Sequence, residues 1–357
     1  MKKRIAVVPG DGIGIEVTRE AVKVLAAVTQ TAGHDFDCVE FDWGAERYLR
    51  EGVSLPAGAL EMLRREFDAI LLGALGDPRL PDMKHAADIL FGMRFGLDLY
   101  ANIRPVKLLH PALTPLRQPG AIDFLILREN TEGLYASMGG NFKKGTRDEV
   151  ALQEDVNTYK GVERIIRYAF EYARGHGRKR LVMSDKSNAL TYGHDLWQRV
   201  FAQLAPRYPE ISSRHLYVDN LTFQMTKNPA QFDVIVTCNM FGDIVSDLGA
   251  ALVGGLGLAA SGNVNPEGIS MFEPVHGSAP KYAGQNVADP LGAILSAAML
   301  LDHLGLRQES AWVEEAVRAS ITEGKATRDL GGSWKTSEVG EWLANYIGAR
   351  FPARATS

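Results

Sequence analysis

The sequence predicts an α/β fold with a largely parallel sheet, and three observations carry that expectation. Short β-branched runs recur along the chain, stretches with helical apolar spacing lie between them, and glycine and proline mark the turns. Arg4-Ile5-Ala6-Val7-Val8 reads as a buried strand ending at Pro9-Gly10-Asp11-Gly12. Val17, Ala21, Val24, Leu25 and Val28 then keep one face of a helix apolar. Further strands are expected at 69–74, 124–127, 181–184 and 234–237. A helix with Val162, Ile165, Ile166, Ala169, Phe170 and Ala173 on one face should stop in Gly175-His176-Gly177.

Two segments break the alternation. Residues 138–160, rich in glycine, lysine and acids, suit a surface hairpin or arm used in dimer contact. Residues 250–292 are glycine-rich with short turns, as a loop region that embraces a ligand would be. Neither an internal repeat nor a low-complexity tract is evident.

With 357 residues the chain allows one large domain or two ordinary ones. A formal charge of −4 offers no electrostatic reason for nucleic acid or an anionic membrane as partner. Cys38 and Cys238 are too few for a disulfide framework and suggest no zinc cluster; both read as core residues. The basic start and the apolar run behind it are too short for a signal peptide and break at Pro9-Gly10. No apolar stretch is long enough for a bilayer, so the cytoplasm is the expected compartment.

Asn239-Met240-Phe241-Gly242-Asp243-Ile244-Val245-Ser246-Asp247 follows a strand. If a helix begins near Gly242, Asp243 and Asp247 lie one turn apart on one face. Such a pair suits a hard cation, Mg²⁺ or Mn²⁺, and it also suits the positive end of a helix dipole. Arg94, Arg104 and Arg128 each stand beside a structural boundary. Converging, they would bind two carboxylates; singly, each fits a surface ion pair. Lys186 and Tyr135 are proton carriers if a cation lies near, and structural residues otherwise. Pro9-Gly10-Asp11-Gly12-Ile13-Gly14 follows the first strand as a dinucleotide loop would, but it misses the G-x-G-x-x-G spacing. The loop from Glu273 to Gly284 mixes small residues with donors suited to ribose and phosphate, or is a tight connector.

Taken in order, PGDGIG at 9–14, ANIRP at 101–105, RENTEGLY at 128–135, DKSN at 185–188, NMFGDIVSD at 239–247 and EPVHGSAP at 273–280 carry a resemblance. The chain resembles the metal-dependent β-decarboxylating dehydrogenases, the isocitrate/isopropylmalate dehydrogenase family. The resemblance implies that family's two-domain fold, which is not a Rossmann fold. Residues 1–100 with 255–357 would form a cofactor-binding domain, and 101–254 a substrate and dimerisation domain. It also implies a homodimer with shared active sites. Arg94, Arg104 and Arg128 would clamp a malate, Tyr135 and Lys186 would carry protons, and Asp219, Asp243 and Asp247 would hold the cation. Lys186 and Asp219 would serve the other subunit's site. Asn188, Glu273, His276, Gly277, Lys281, Tyr282 and Asp289 would meet the cofactor.

Substrate choice is expected just before Arg94. Leu90 and Phe91 suit an alkyl branch, and Asp88 would repel a third carboxylate, which favours 3-isopropylmalate and hence leucine biosynthesis. D-Malate or tartrate is the runner-up, followed by isocitrate or homoisocitrate. Lys281-Tyr282 resembles the NADP⁺-linked enzymes, whereas Thr327-Arg328-Asp329-Leu330-Gly331-Gly332 resembles the NAD⁺-linked ones, and the reading leans to NADP⁺. A non-catalytic regulatory subunit would typically lose metal ligands or proton carriers, and this chain keeps Tyr135, Lys186 and all three aspartates.

Overall fold

The structure, a computed structural model, describes residues Met1–Phe351. The chain divides into two compact units, Met1–Leu99 with Leu108–Pro115 and Val253–Ser357, and Tyr100–Lys107 with Leu116–Leu252. The first unit opens with β1 (Lys2–Gly10), α1 (Ile13–Ala32), β2 (Asp35–Glu40), α2 (Ala45–Glu51), α3 (Ala59–Glu66), β3 (Ala69–Ala74) and α4 (Lys84–Gly96). The second holds β4 (Ala101–Lys107), β5 (Asp123–Glu129), β6 (Gly139–Phe142), β7 (Val150–Gln153), α5 (Tyr159–Gly175), β8 (Arg180–Asp185), α6 (Gly193–Leu204), β9 (Ser212–Tyr217), α7 (Val218–Lys227), β10 (Val234–Thr237) and α8 (Asn239–Val253). The chain then completes the first unit with β11 (Ala260–Val264), β12 (Ser270–Pro274), α9 (Leu291–His303), α10 (Arg307–Thr322) and α11 (Thr336–Arg350).

In the first unit the strands run β2-β1-β3-β12-β11, parallel except for the β11–β12 pair. In the second they run β4-β5-β10-β8-β9, parallel except for β4–β5. The expected helix faces are the buried ones: Val17, Ala21, Val24, Leu25 and Val28 of α1 join a core shared with α9, α10 and α11. The six apolar residues of α5 are fully buried, and Thr158 accepts from the Gly161 amide at the helix start. β6 and β7 form a separate two-stranded antiparallel hairpin. Cys238 is buried and Cys38 half-buried, and burial pushes their thiols up to about 12 and about 11.

Three expectations need correction. Residues 250–292 hold two sheet strands, β11 and β12, and not loops alone. Leu108–Pro115 packs with the terminal segments because Leu109 and Leu113 join the apolar core there. The helix bearing Asp243 and Asp247 begins at Asn239, a turn early, so neither acid sits in its first turn and the helix-dipole account of them weakens.

The glycine loop after β1 has a structural use. Ile13 N–H donates to the Ser278 carbonyl at 2.8 Å and Gly14 N–H to the Asp11 carbonyl at 2.9 Å. The amides that a phosphate-cradling loop leaves open are therefore occupied. Among the described residues no helix is long and apolar enough to cross a membrane.

Candidate active site

In the second unit α8 lies against the sheet face that carries Arg104 and Arg128. A Cβ added at Gly242 would stand 2.6 Å from Cβ and Cγ of Arg128, so only glycine allows that approach. Arg128, 1 % exposed, donates from Nε and Nη2 to Asn239 Oδ1 at 2.9 and 2.7 Å and from Nη1 to Asp243 Oδ1 at 2.5 Å. Arg104 donates to Asn102 Oδ1 at 2.8 Å and to Ser246 Oγ at 2.6 Å, and its Nη1 lies 3.3 Å from Asp243 and 4.0 Å from Asp247. Tyr135 donates its phenol to Asp243 Oδ2 at 3.0 Å, with the Arg128 guanidinium 5.0 Å from its ring centre.

Four residues expected to act together, Arg104, Arg128, Tyr135 and Asp243, thus meet around one carboxylate. Burial first, then Asp243, pushes the Tyr135 phenol above its ordinary value, while Arg128 opposes the rise. Asp247 is also raised, by burial and by like-charge Asp243 against the pull of Arg104. Two carboxylates one turn apart, one held up by the other, are a donor set that fits a divalent cation.

Asp219 is not gathered with them. Among the described residues no three His, Cys, Asp or Glu side chains are grouped to hold a metal. Asp219, at the start of α7, accepts from Lys186 Nζ at 2.6 Å, and that contact holds its carboxyl below the usual range. The Lys186 backbone amide donates to His194 Nδ1 at 2.8 Å, which fixes the turn after β8. Asn188, on the same turn, is exposed.

In the first unit α4 carries the segment where substrate choice is expected. Leu90 leans on the core cluster containing Ile89 and Met93. Phe91 stacks on Phe95 at 5.9 Å, and the Arg94 guanidinium lies 5.8 Å from the Phe91 ring. Arg94, 6 % exposed, donates to Glu273 Oε1 at 3.1 Å, while its buried Nε has no partner. Glu273 also accepts from Asn263 Nδ2 at 2.8 Å, so its carboxylate is tied to Arg94 within the unit. The repulsion argument from Asp88 is corrected: Lys84 Nζ and Ser54 Oγ each stand 2.8 Å from its Oδ2, and Lys84 foremost holds its pKa down. The Lys84 ammonium thus offsets part of the Asp88 charge at the surface and weakens its repulsion of a substrate carboxylate.

The segment after β12 carries two orphaned polar atoms. His276 donates from Nδ1 to the Gly277 carbonyl at 3.0 Å, while its Nε2 is buried without a partner, and burial holds the ring below its ordinary pKa. Asp289 accepts from the Leu291 amide at 3.0 Å through Oδ1, while Oδ2 is buried without a partner. Burial, then nearby Asp329, pushes that carboxyl well up. Buried polar atoms left open in this way fit a ligand with hydrogen-bonding edges, such as a nucleotide base. Lys281 and Tyr282 are exposed, with the ammonium 4.6 Å from the ring centre.

Sequence reasoning missed Asn102, Asn239 and Ser246, which aim the two arginines, and Asp329 beside Asp289. All four stand inside quoted segments, so their positions were visible and these roles were not.

A family model described as isocitrate/isopropylmalate dehydrogenase matches residues 4–343. A 3-isopropylmalate dehydrogenase of Corynebacterium kroppenstedtii is 49% identical over 96% of this chain and 99% of its own length. One of Thermobifida fusca is 47% identical over 96% and 97%. A crystal structure of isocitrate dehydrogenase from Methylococcus capsulatus is 35% identical, with a TM-score of 0.86 over 97% of this chain and 99% of the other.

Proposed function

Since the chain belongs to the isocitrate/isopropylmalate dehydrogenase family, we propose that it oxidises and decarboxylates a 3-substituted malate, converting 3-isopropylmalate to 2-oxoisocaproate in leucine biosynthesis. The observation that carries the reading is the convergence of Arg104, Arg128 and Tyr135 on Asp243. Two nearly buried guanidinium groups give a dicarboxylate its charge-assisted donors. Resemblance to the family implies that Arg94 of the first unit, whose buried Nε has no partner, would be the third. Asp243 and Asp247 would hold Mg²⁺ or Mn²⁺, with Asp219 contributed across a homodimer. A bound divalent cation makes the adjacent hydroxyl easier to deprotonate and stabilises negative charge on oxygen.

The remaining work belongs to side chains. Lys186, directly or through water, would take the proton of the substrate hydroxyl, and a bound nicotinamide nucleotide would supply the hydride acceptor. The resulting ketone lies β to a carboxylate, which departs as CO₂. Tyr135, kept protonated by its raised pKa, then returns a proton to the carbon. The exposed Phe142 and Leu152 of the β6–β7 hairpin, at 66 % and 63 %, are apolar surface that a second copy would cover. Glu273, His276, Gly277, Lys281, Tyr282 and Asp289, with Asn188, form the cofactor set, and the exposed Lys281 ammonium favours the 2′-phosphate of NADP⁺ over NAD⁺. The enzyme works in the cytoplasm in this reading.

One observation favours a second acid. With Asp88 paired to Lys84, the barrier against the third carboxylate of isocitrate is lower than its charge alone implies. Initial rates with 3-isopropylmalate, isocitrate, homoisocitrate, D-malate and tartrate, each with NAD⁺ and NADP⁺, decide between them. The highest kcat/KM is expected for 3-isopropylmalate. A preference for isocitrate would overturn the argument from Leu90 and Phe91, and a strong NAD⁺ preference the argument from Lys281.

A further inference from the structure

We propose that His85 is a positioning residue for substrate recognition, its buried hydrogen bond to Asp11 fixing where α4 sits and so where Leu90, Phe91 and Arg94 point. The inference rests on the function proposed above. His85 is the second residue of α4 and is fully buried, with Nε2 3.0 Å from Asp11 Oδ2. Asp11, 5 % exposed, also accepts from the amides of Ala45 at 2.6 Å and Gly76 at 2.8 Å. One carboxylate therefore joins the loop after β1, the segment after β3, the start of α2 and the start of α4. An ionised carboxylate only accepts, so the imidazole donates from Nε2.

The other side-chain anchors at this end are less buried: Lys84 N–H donates to Asp82 Oδ1 at 3.1 Å and Ser54 Oγ to Asp88 Oδ2 at 2.8 Å, so His85 supplies the fully buried one. The N-cap of α4, Met83, sits at a φ of 54°, a left-handed backbone that a side chain disfavours, and it offers no side-chain cap. Packing alone does not call for a histidine either. Ile89 and Met93 already bury the inner face of α4, and an apolar residue at 85 would extend that face. The histidine instead leaves Nδ1 buried without a partner. Such a cost is offset only by a directional contact, and the one to Asp11 supplies it. Because a helix is stiff along its axis, displacement at His85 carries through to Arg94.

The test uses the full chain and compares wild type, His85→Leu and His85→Gln. For each, KM and kcat are measured with the best acid of the substrate panel, the nucleotide Kd by titration, and the melting temperature. Leucine fills the space without a donor, whereas glutamine restores an N–H. Misplacing a substrate clamp should raise KM by about ten-fold or more in His85→Leu, with nucleotide Kd changed by less than about two-fold. His85→Gln should recover most of the loss. A histidine that only filled the core would give the reverse order, with leucine tolerated and buried glutamine worse, and that order overturns the proposal. Should His85→Leu fail to fold, a His85→Gln variant with near-normal KM supports the proposal, and one whose KM and nucleotide Kd worsen together overturns it. Wild type inactive on every acid would instead sink the proposed function.

Discussion

Asp243 and Asp247 share a face of α8, yet neutralising them should shift stability in different directions. Asp243 Oδ1 faces two guanidinium groups that are 1 % and 8 % exposed. Breaking a buried ion pair costs about 3–5 kcal/mol when the remaining charge is left alone. Here Asp243 is itself 38 % exposed, and both arginines keep neutral acceptors in Asn239, Asn102 and Ser246. The expected loss for Asp243→Asn is therefore about 2 kcal/mol. Asp247 is 57 % exposed, and its ionised form is disfavoured by burial and by Asp243. Asp247→Asn removes that repulsion, and the change should stay within about 0.5 kcal/mol, on the stabilising side. Melting curves in EDTA read the apo difference; repeating them with Mg²⁺ or Mn²⁺ reads the cation response, which both variants should lose. If Asp247→Asn melted as low as Asp243→Asn in EDTA, the charge argument would fail. If either kept the wild-type response to the cation, the assignment of the pair as ligands would fail.

The proton carriers separate by step: Lys186→Met should slow hydride transfer by about 10²–10⁴-fold, while Tyr135→Phe should chiefly harm decarboxylation and reprotonation. Single-turnover traces of nucleotide reduction against CO₂ release distinguish the two, and near-normal turnover in either variant refutes its role. Glu129 offers a pH test, because burial pushes its carboxyl up to about 7 despite hydrogen bonds from Thr131 and Glu132. A native pKa above the unfolded one means that folding takes up a proton, so this stabilising contribution is full below about pH 4.5 and lost as pH rises through about 7, on the order of 3 kcal/mol. Glu129→Gln cannot titrate, and its melting temperature should fall less steeply than wild type between about pH 5 and 7.5. Parallel slopes for the two proteins would show that Glu129 does not titrate there.

Helices α1 and α5 were legible because burial of one face leaves a period in the sequence, and each face found its core. β11 and β12 were not, for a physical reason. Their sequences, Ala-Ser-Gly-Asn-Val and Ser-Met-Phe-Glu-Pro, are almost wholly buried, so neither has the alternation of a half-exposed strand. Gly262 has no side chain because Phe272 occupies the space, its ring 2.9 Å from where a Cβ would stand. Tight packing thus selected residues that read locally as a loop.

The site divides along the same line between local and long-range information. Asp243 and Asp247 are four residues apart, and helical spacing alone places them together. The arginines are another matter, since Arg104 and Arg128 share a face only through the β4–β5 register. Asn102 pairs with Arg128, and Arg104 lies two residues beyond Asn102, so antiparallel pairing turns all three side chains to one side. A one-residue slip would send Arg128 to the opposite face. No reading of the individual motifs could supply that register. Asp88 shows the converse error, because its neutralising partner Lys84 is one helical turn back and was visible in the sequence. With that charge partly offset, discrimination among malates would, on the function proposed above, rest more on Leu90, Phe91 and the placement of Arg94. On the inference drawn above, their placement depends on where α4 begins, and a buried histidine outside the quoted motifs would then bear on substrate choice.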